Sequence, residues 1–253
     1  LSSRNAQYFM LDKQKQESLV DPEAATDRIL EQLKQDLRLS ELPRHIECFD
    51  NSNTQGTDPV SACVVFKDAK PSKKDYRHFN IRTVEGPDDF ASMEEAVERR
   101  YARLITDGEP MPQLVVIDGG KGQLHAALNV FDRLGLRGKV ALVGIAKNLE
   151  EIFFPGDPYP LHIDKRSTSL RLIQHMRNEA HRFGITHHRG KRSKRTVRTA
   201  LEDIPGIGPG TAQKLLKRFG SIKGLREAAS EEVVAEIGAK KAEVVLKGLA
   251  VSE

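Results

Sequence analysis

A chain of 253 residues has room for one large domain and a small one, and 38% hydrophobic with 30% charged residues describes a folded rather than a disordered protein. The formal net charge is only +4, but a sequence pI of about 9.0 suits an acidic partner. No apolar stretch approaches the roughly 20 residues that span a bilayer and no signal peptide is legible, which argues against a membrane or secreted protein.

Cys48 and Cys63 lie in apolar, strand-like runs and match neither a disulfide framework nor a metal-finger spacing, so reduced core cysteines and a cytoplasmic location are expected. The chain opens on Leu1 rather than Met, as expected for a fragment of something longer.

Residues 1–42 read as a polar, helix-prone lead-in in which Ala25, Ile29, Leu33 and Leu37 make one apolar stripe for packing on the domain behind it. From residue 43 the pattern alternates: Ile46, Cys48 and Asp50 share one face of a strand, with His45, Glu47 and Phe49 on the other. "PVSACVVF" and "YRHFNIR" follow as strands around the charged turn "KDAKPSKKD", an antiparallel meander. Pro87 and the pair Asp88–Asp89 then mark a helix start, and Phe90, Met93, Val97, Tyr101 and Leu104 line one face of that helix.

"LVVIDGGKGQL", residues 114–124, is a buried-type strand ending on Asp118 and entering an Ala/Leu-rich helix over about 121–134, with a further strand in "KVALVGIA". The resulting β-β-β-α-β-α-β order predicts a mixed sheet with flanking helices, an α/β fold. "FFPGDPYPLHI" reads as a turn excursion. A helix follows with Leu170, Ile173, Met176, Ala180 and Phe183 on its apolar side, ending about Gly184 and leaving His187 and His188 beyond its last turn. The run "RGKRSKRTVR" places Arg189, Lys191, Arg192, Lys194, Arg195 and Arg198 within ten residues and marks the domain boundary; a compact all-helical stretch follows.

Asp118 at the open end of a buried strand is either the cap of the next helix or part of a site, because ligands of open α/β sheets sit beyond the carboxyl ends of the strands. Asp50 ends the first strand. If the two strands are neighbours, their carboxylates converge, and two hard oxygen ligands a few Å apart repel unless a divalent cation such as Mg²⁺ or Mn²⁺ sits between them. His181 belongs to a polar stripe with Gln174, Arg177 and Asn178, which a docked helix could aim at the carboxylates; the bland alternative is an ordinary exposed histidine. No H-E-x-x-H occurs, and Gly119-Gly120-Lys121-Gly122 lacks the upstream Gly and the following Ser/Thr of a P-loop.

In "IPGIGPGTAQKLLKRFG", residues 204–220, Gly206, Gly208 and Gly210 let the backbone approach a phosphate at a helix start, and Lys214, Lys217 and Arg218 add charge attraction. This is a helix-hairpin-helix pattern. A second copy in "VVAEIGAKKAEVV" keeps Gly238 but has Glu236 at the first glycine position, so packing is its expected role.

Together "IECFDNSN", "LVVIDGGKGQL", "RNEAHRFGITHHR" and "IPGIGPGTAQKLL" resemble the C-terminal half of the UvrC family, over about residues 43–253. The resemblance implies a ribonuclease-H-like endonuclease domain over 43–188, a basic linker over 189–198 and a tandem helix-hairpin-helix domain over 199–253. It carries the family's catalytic carboxylates to Asp50 and Asp118, its catalytic histidine to His181 and a further carboxylate to the "PDDF" helix start. There Asp89, in line with Met93, Ala96 and Val97, leans inward, while Asp88 is the cap.

The activity it implies is Mg²⁺- or Mn²⁺-dependent cutting of damaged double-stranded DNA 5′ to a lesion in bacterial nucleotide excision repair, with His181 a metal ligand or a proton shuttle. The family's N-terminal nuclease domain and its UvrB-binding motif are not visible in this sequence. The rival readings are a non-catalytic DNA-binding module, a junction resolvase, or a nuclease for RNA–DNA hybrids.

Overall fold

The computed structural model describes Met10 and residues 21–54, 57–84, 86–146 and 151–250; the side chains of 52–58, 187–200 and residue 250 lie outside that description. The chain divides into two compact units, Leu1–Ile185 and Thr186–Glu253.

The first unit begins with α1 (Pro22–Asp36), whose N-terminus is capped by Asp21 and preset by Pro22. Its buried face is Leu30, Leu33 and Leu37, with Ile29 only partly covered, so the expected stripe is rotated. Each four-residue step overshoots one helical turn by about 40°, so a strict i+4 series drifts off the core while a mixed three-and-four series stays on it.

Among the described residues seven strands form one mixed sheet: β1 (His45–Thr54), β2 (Thr57–Lys67), β3 (Lys70–Pro71), β4 (Arg77–Asn80), β5 (Leu114–Asp118), β6 (Ala141–Ile145) and β7 (Ile152–Phe153). The order is β3-β2-β1-β5-β6-β7, with β4 also paired to β2; β1 is antiparallel to β2 and parallel to β5, and β5 is parallel to β6. This is the ribonuclease-H-like α/β arrangement expected.

Two loop expectations change. The charged turn tightens into a β2–β3 hairpin through Asp68 and Ala69, both at positive φ (49° and 57°). The excursion after β6 contains β7, antiparallel to β6 and bridged from Ile152 to Leu161. Cys48 and Cys63 are buried and free, and burial drives both thiols well above their ordinary pKa, so they stay protonated.

Helices α2 (Asp89–Asp107) and α3 (Lys121–Arg133) lie side by side, joined by Arg133 to Glu94 and Glu98 and by Asn129 to Glu94. On α2 the core face is Met93, Ala96, Val97, Tyr101 and Leu104. Phe90, expected in that stripe, is 55% exposed instead: it stands in the first turn, at the open end of the sheet, where no core lies beneath it. Helix α4 (Thr168–Glu202) buries Leu170, Ile173, Met176 and Ala180 and is held by Tyr76 Oη donating to Glu179 (3.2 Å) and by His78 Nε2 3.1 Å from the Phe183 carbonyl.

The α4 backbone does not stop at Gly184 but continues through His187 and His188 and through the basic run. An interior glycine costs about 1 kcal/mol and, without a left-handed cap or a proline, neither Gly184 nor Gly190 ends the helix. The side chains of His187, His188, Arg189, Lys191, Arg192, Lys194 and Arg195 lie outside those described. In the second unit α5 (Pro209–Phe219), α6 (Ile222–Glu227), α7 (Ser230–Ile237) and α8 (Ala239–Ala250) close over Leu201, Ile207, Leu215, Leu225, Val233 and Val245. Among the described residues no helix is long and apolar enough to cross a membrane.

Candidate active site

The parallel register of β1 and β5 runs from Ile46 beside Leu114 to Asp50 beside Asp118. Register partners in a parallel pair point to the same side, so the two carboxylates end adjacent strands together, and they are only 1% and 4% exposed. They open into a cleft of about 840 Å³ that is also lined by Asn51, Asp88, Asp89 and Phe90 and by the glycine turn Gly119-Gly120 with Gln123. Each strand reaches this end for a reason in its sequence: β5 is buried along its whole length, and β1 has helices to satisfy on both faces.

Helix α4 brings the third element. His181, about half exposed, sits with Nδ1 3.1 Å from Asp50 Oδ2. An ionised carboxylate can only accept, so Nδ1 carries the proton in this contact and Nε2 is the ring atom available to take or give one. The α2 N-terminus closes the rim. Asp88 is the cap, its Oδ1 accepting from the Phe90 and Ala91 amides at 3.0 Å each, and Asn51 Nδ2 donates to the Asp89 carbonyl at 2.7 Å. Asp89 is exposed and lines the same cleft as Asp50 and Asp118.

A metal fits the donor set as a two-carboxylate site. Asp50 and Asp118 are hard oxygen ligands held together at one strand end, where their mutual repulsion favours a divalent cation, and Mg²⁺-type ions commonly use one or two carboxylates plus water and substrate phosphate. Among the described residues no group of three or more His, Cys, Asp and Glu is placed to hold a metal, since His181 engages Asp50 rather than completing such a set. Lys121 is not a phosphate lysine here: its Nζ donates to the Pro158 carbonyl at 2.6 Å and lies over the Phe153 ring.

A charged cluster that sequence reasoning missed lies one layer away. Glu47 is fully buried, bonded by Arg100 through Nε (3.2 Å) and Nη2 and by Tyr101 Oη (3.0 Å), with His45 Nε2 at 3.3 Å. Burial pushes the Glu47 carboxyl up, but His45 and Arg100 outweigh it and hold the carboxyl below its ordinary value. A signal exists in outline: Arg100 falls on the apolar face of α2, and Glu47 shares its strand face with Phe49.

In the second unit Gly206 (φ 86°) turns the chain between α4 and α5, and Gly208 is the α5 N-cap with no side-chain cap. The Cβ positions of Gly206, Gly208 and Gly210 face open space, so the amides there are approachable, and Lys214, Lys217 and Arg218 are exposed on the same helix. Gly238 (φ 81°) turns α7 into α8, and Lys241 Nζ reaches Thr211 Oγ1 at 3.4 Å, tying the second hairpin to the first.

A mixed sheet with paired strand-end carboxylates is a ribonuclease-H-like endonuclease fold, carried on a chain that also holds a paired-hairpin helical module. Residues 34–185 match the UvrC RNase H endonuclease domain, and residues 199–250 match the SAM-like helix-hairpin-helix tandem. The chain belongs to the UvrC RNase H endonuclease domain family.

It is 60% identical over 245 residues to the UvrABC system protein C of Flavobacterium psychrophilum, an overlap of 97% of this chain and 41% of that protein. It is 53% identical to that of Porphyromonas gingivalis, across 98% of this chain and 42% of the relative. The chain thus spans about two fifths of the length of these relatives. A solved Endonuclease V of Ciona intestinalis overlaps 53% of this chain and 63% of its own at 18% identity, but at a TM-score of 0.33 it adds nothing to the assignment.

Proposed function

We propose that this chain is the metal-dependent endonuclease half of a nucleotide excision repair protein, hydrolysing one phosphodiester bond of duplex DNA on the 5′ side of a lesion. The observation that carries the reading is the register pairing of Asp50 and Asp118 at a buried, solvent-opening strand end, with His181 on Asp50. Asp50 and Asp118 would hold Mg²⁺ or Mn²⁺. When bound, such an ion lowers the pKa of a water and offsets charge gathering on the phosphate. His181, oriented by Asp50, would exchange a proton through Nε2, and Asp89 at the rim would add negative charge beside the ion. The hairpin Gly206-Ile207-Gly208 with Lys214, Lys217 and Arg218, and the basic run 189–198, would grip the DNA backbone without reading sequence. UvrB as a protein partner and a cytoplasmic location rest on family membership.

The test is substrate choice. A nicked, lesion-bearing duplex should be cut with Mg²⁺ or Mn²⁺, while a four-way junction and an RNA–DNA hybrid should not; preferred cutting of either of those would replace this reading with a resolvase or hybrid nuclease.

Two further outcomes are expected. His181→Ala should cut at least about 10²-fold more slowly with DNA affinity unchanged, as expected for loss of a positioned acid–base group; a fully active variant would leave a carboxylate-only site and make Asp89 the next residue to replace. Replacing Lys214, Lys217 and Arg218 together by Ala should lower DNA affinity and flatten its salt dependence by about one unit of log–log slope for each phosphate no longer neutralised. An unchanged slope would remove the first hairpin from the DNA interface.

A further inference from the structure

Phe90 is the one residue of the expected α2 core stripe that the fold leaves out, and it is left out at the mouth of the carboxylate cleft. A phenyl ring that is 55% exposed gains little from burial, yet the backbone that carries it is closely tied. Its own amide is bonded to the Asp88 cap, and the carbonyl of the residue before it accepts from Asn51, the immediate neighbour of Asp50. Asn51 is in turn bonded by Ser61 Oγ. A short chain of hydrogen bonds therefore holds Phe90 at a set span from the Asp50 carboxylate.

On its inner side the ring rests against Gly122 of α3: a Cβ at that position would stand 2.5 Å from Phe90 Cε1 and 2.7 Å from Cζ, so only glycine leaves room for the ring.

We propose that Phe90 is a stacking platform for a nucleobase next to the scissile phosphate, which rests on the nuclease reading of this cleft. The rest of the lining decides the occupant. Asp50, Asn51, Asp88, Asp89 and Asp118 line the same cleft as the ring, so an apolar protein side chain entering here would bury carboxylates for little gain. A base brings a π-face for the ring and keeps its polar edges for water and for those side chains. Stacking tolerates any base, which suits an enzyme that must cut irrespective of sequence. The DNA backbone, drawn to the metal-loaded carboxylates, would set a flanking base over the ring.

The experiment uses the full chain and a nicked lesion duplex in which each of three nucleotides on either side of the cut is replaced in turn by an abasic analogue. Phe90→Ala should raise KM about tenfold on the base-bearing duplex with kcat and melting temperature little changed, and Phe90→Tyr should restore it. Gly122→Ala, which displaces the ring, should behave as Phe90→Ala does. At one abasic position wild type should already show the raised KM, and Phe90→Ala should add nothing further. If Phe90→Ala cuts as wild type does, or loses the same factor at every abasic position, the stacking platform is wrong. Asp118→Asn run in parallel separates the failures: a dead Asp118→Asn beside an unaffected Phe90→Ala overturns the platform alone, whereas an active Asp118→Asn overturns the nuclease reading beneath it.

Discussion

Asp118→Asn should abolish metal-dependent incision, by at least about 10²-fold, while DNA affinity and fold persist. The factor is the scale of removing one preorganised electrostatic interaction at a reacting phosphate. Asparagine matches the shape of aspartate, so the buried end of β5 need not repack, but it halves the negative charge that the strand-end pair offers a cation. The same change removes a like charge beside Asp50, so in the absence of divalent ions the variant should melt no lower than wild type.

A metal titration sharpens the result. Loss of a ligand should move the Mn²⁺ concentration for half-maximal residual activity upward, whereas loss of a structural aspartate would lower the melting temperature without that displacement. Wild-type cutting by Asp118→Asn would remove the carboxylate pair from the chemistry.

The alternation across His45–Asp50 and the unbroken apolar run of Leu114–Ile117 suffice to draw two strands, because side-chain period is a local property of the backbone. That β1 and β5 are neighbours is not local. They are separated by β2, β3, β4 and α2, and only the sheet order brings Asp50 beside Asp118. Phe90 departs from its expected stripe for a related reason: helical periodicity tells which face a residue occupies but not where the core beneath that face ends. Helix α4 outruns its expected end at Gly184 because the residues that follow include many good helix formers and no proline. The hairpin glycines, by contrast, carry their own geometry, since a positive φ at Gly206 is a property of the residue itself.

Arg100→Ala should destabilise the sheet domain by about 3–5 kcal/mol, the usual consequence of stripping the partner from a buried charge. Glu47 has no solvent exposure and Arg100 only 13%, so solvent does little to screen the pair. His45 Nε2 at 3.3 Å, Tyr101 Oη and the Cys63 thiol, 3.7 Å away, still face the carboxylate, but none replaces the permanent charge of the guanidinium. For a domain of this size the change corresponds to a fall of about 10 °C in melting temperature. Its pH dependence identifies the cause.

In the wild type the folded Glu47 carboxyl titrates below its unfolded value, so its contribution is present above about pH 4.3 and is lost as pH falls through the lower, folded value. Without Arg100, burial is opposed only by His45 and the neutral donors, so the folded value rises toward or past the unfolded one; the stability lost relative to wild type then grows as pH rises and disappears in acid. The melting-temperature gap between wild type and Arg100→Ala should therefore be widest near pH 7 and narrow toward pH 4. Glu47→Gln in the Arg100→Met background, which removes both charges, should recover much of the lost stability, as replacing a whole buried pair usually does. A gap that stays constant from pH 7 to pH 4 would show that Arg100 acts by packing alone. Because Glu47 lies three residues before Asp50 on β1, incision per folded molecule should stay close to wild type at temperatures well below the melt, and a large loss there would mean that the buried pair also sets the placement of Asp50.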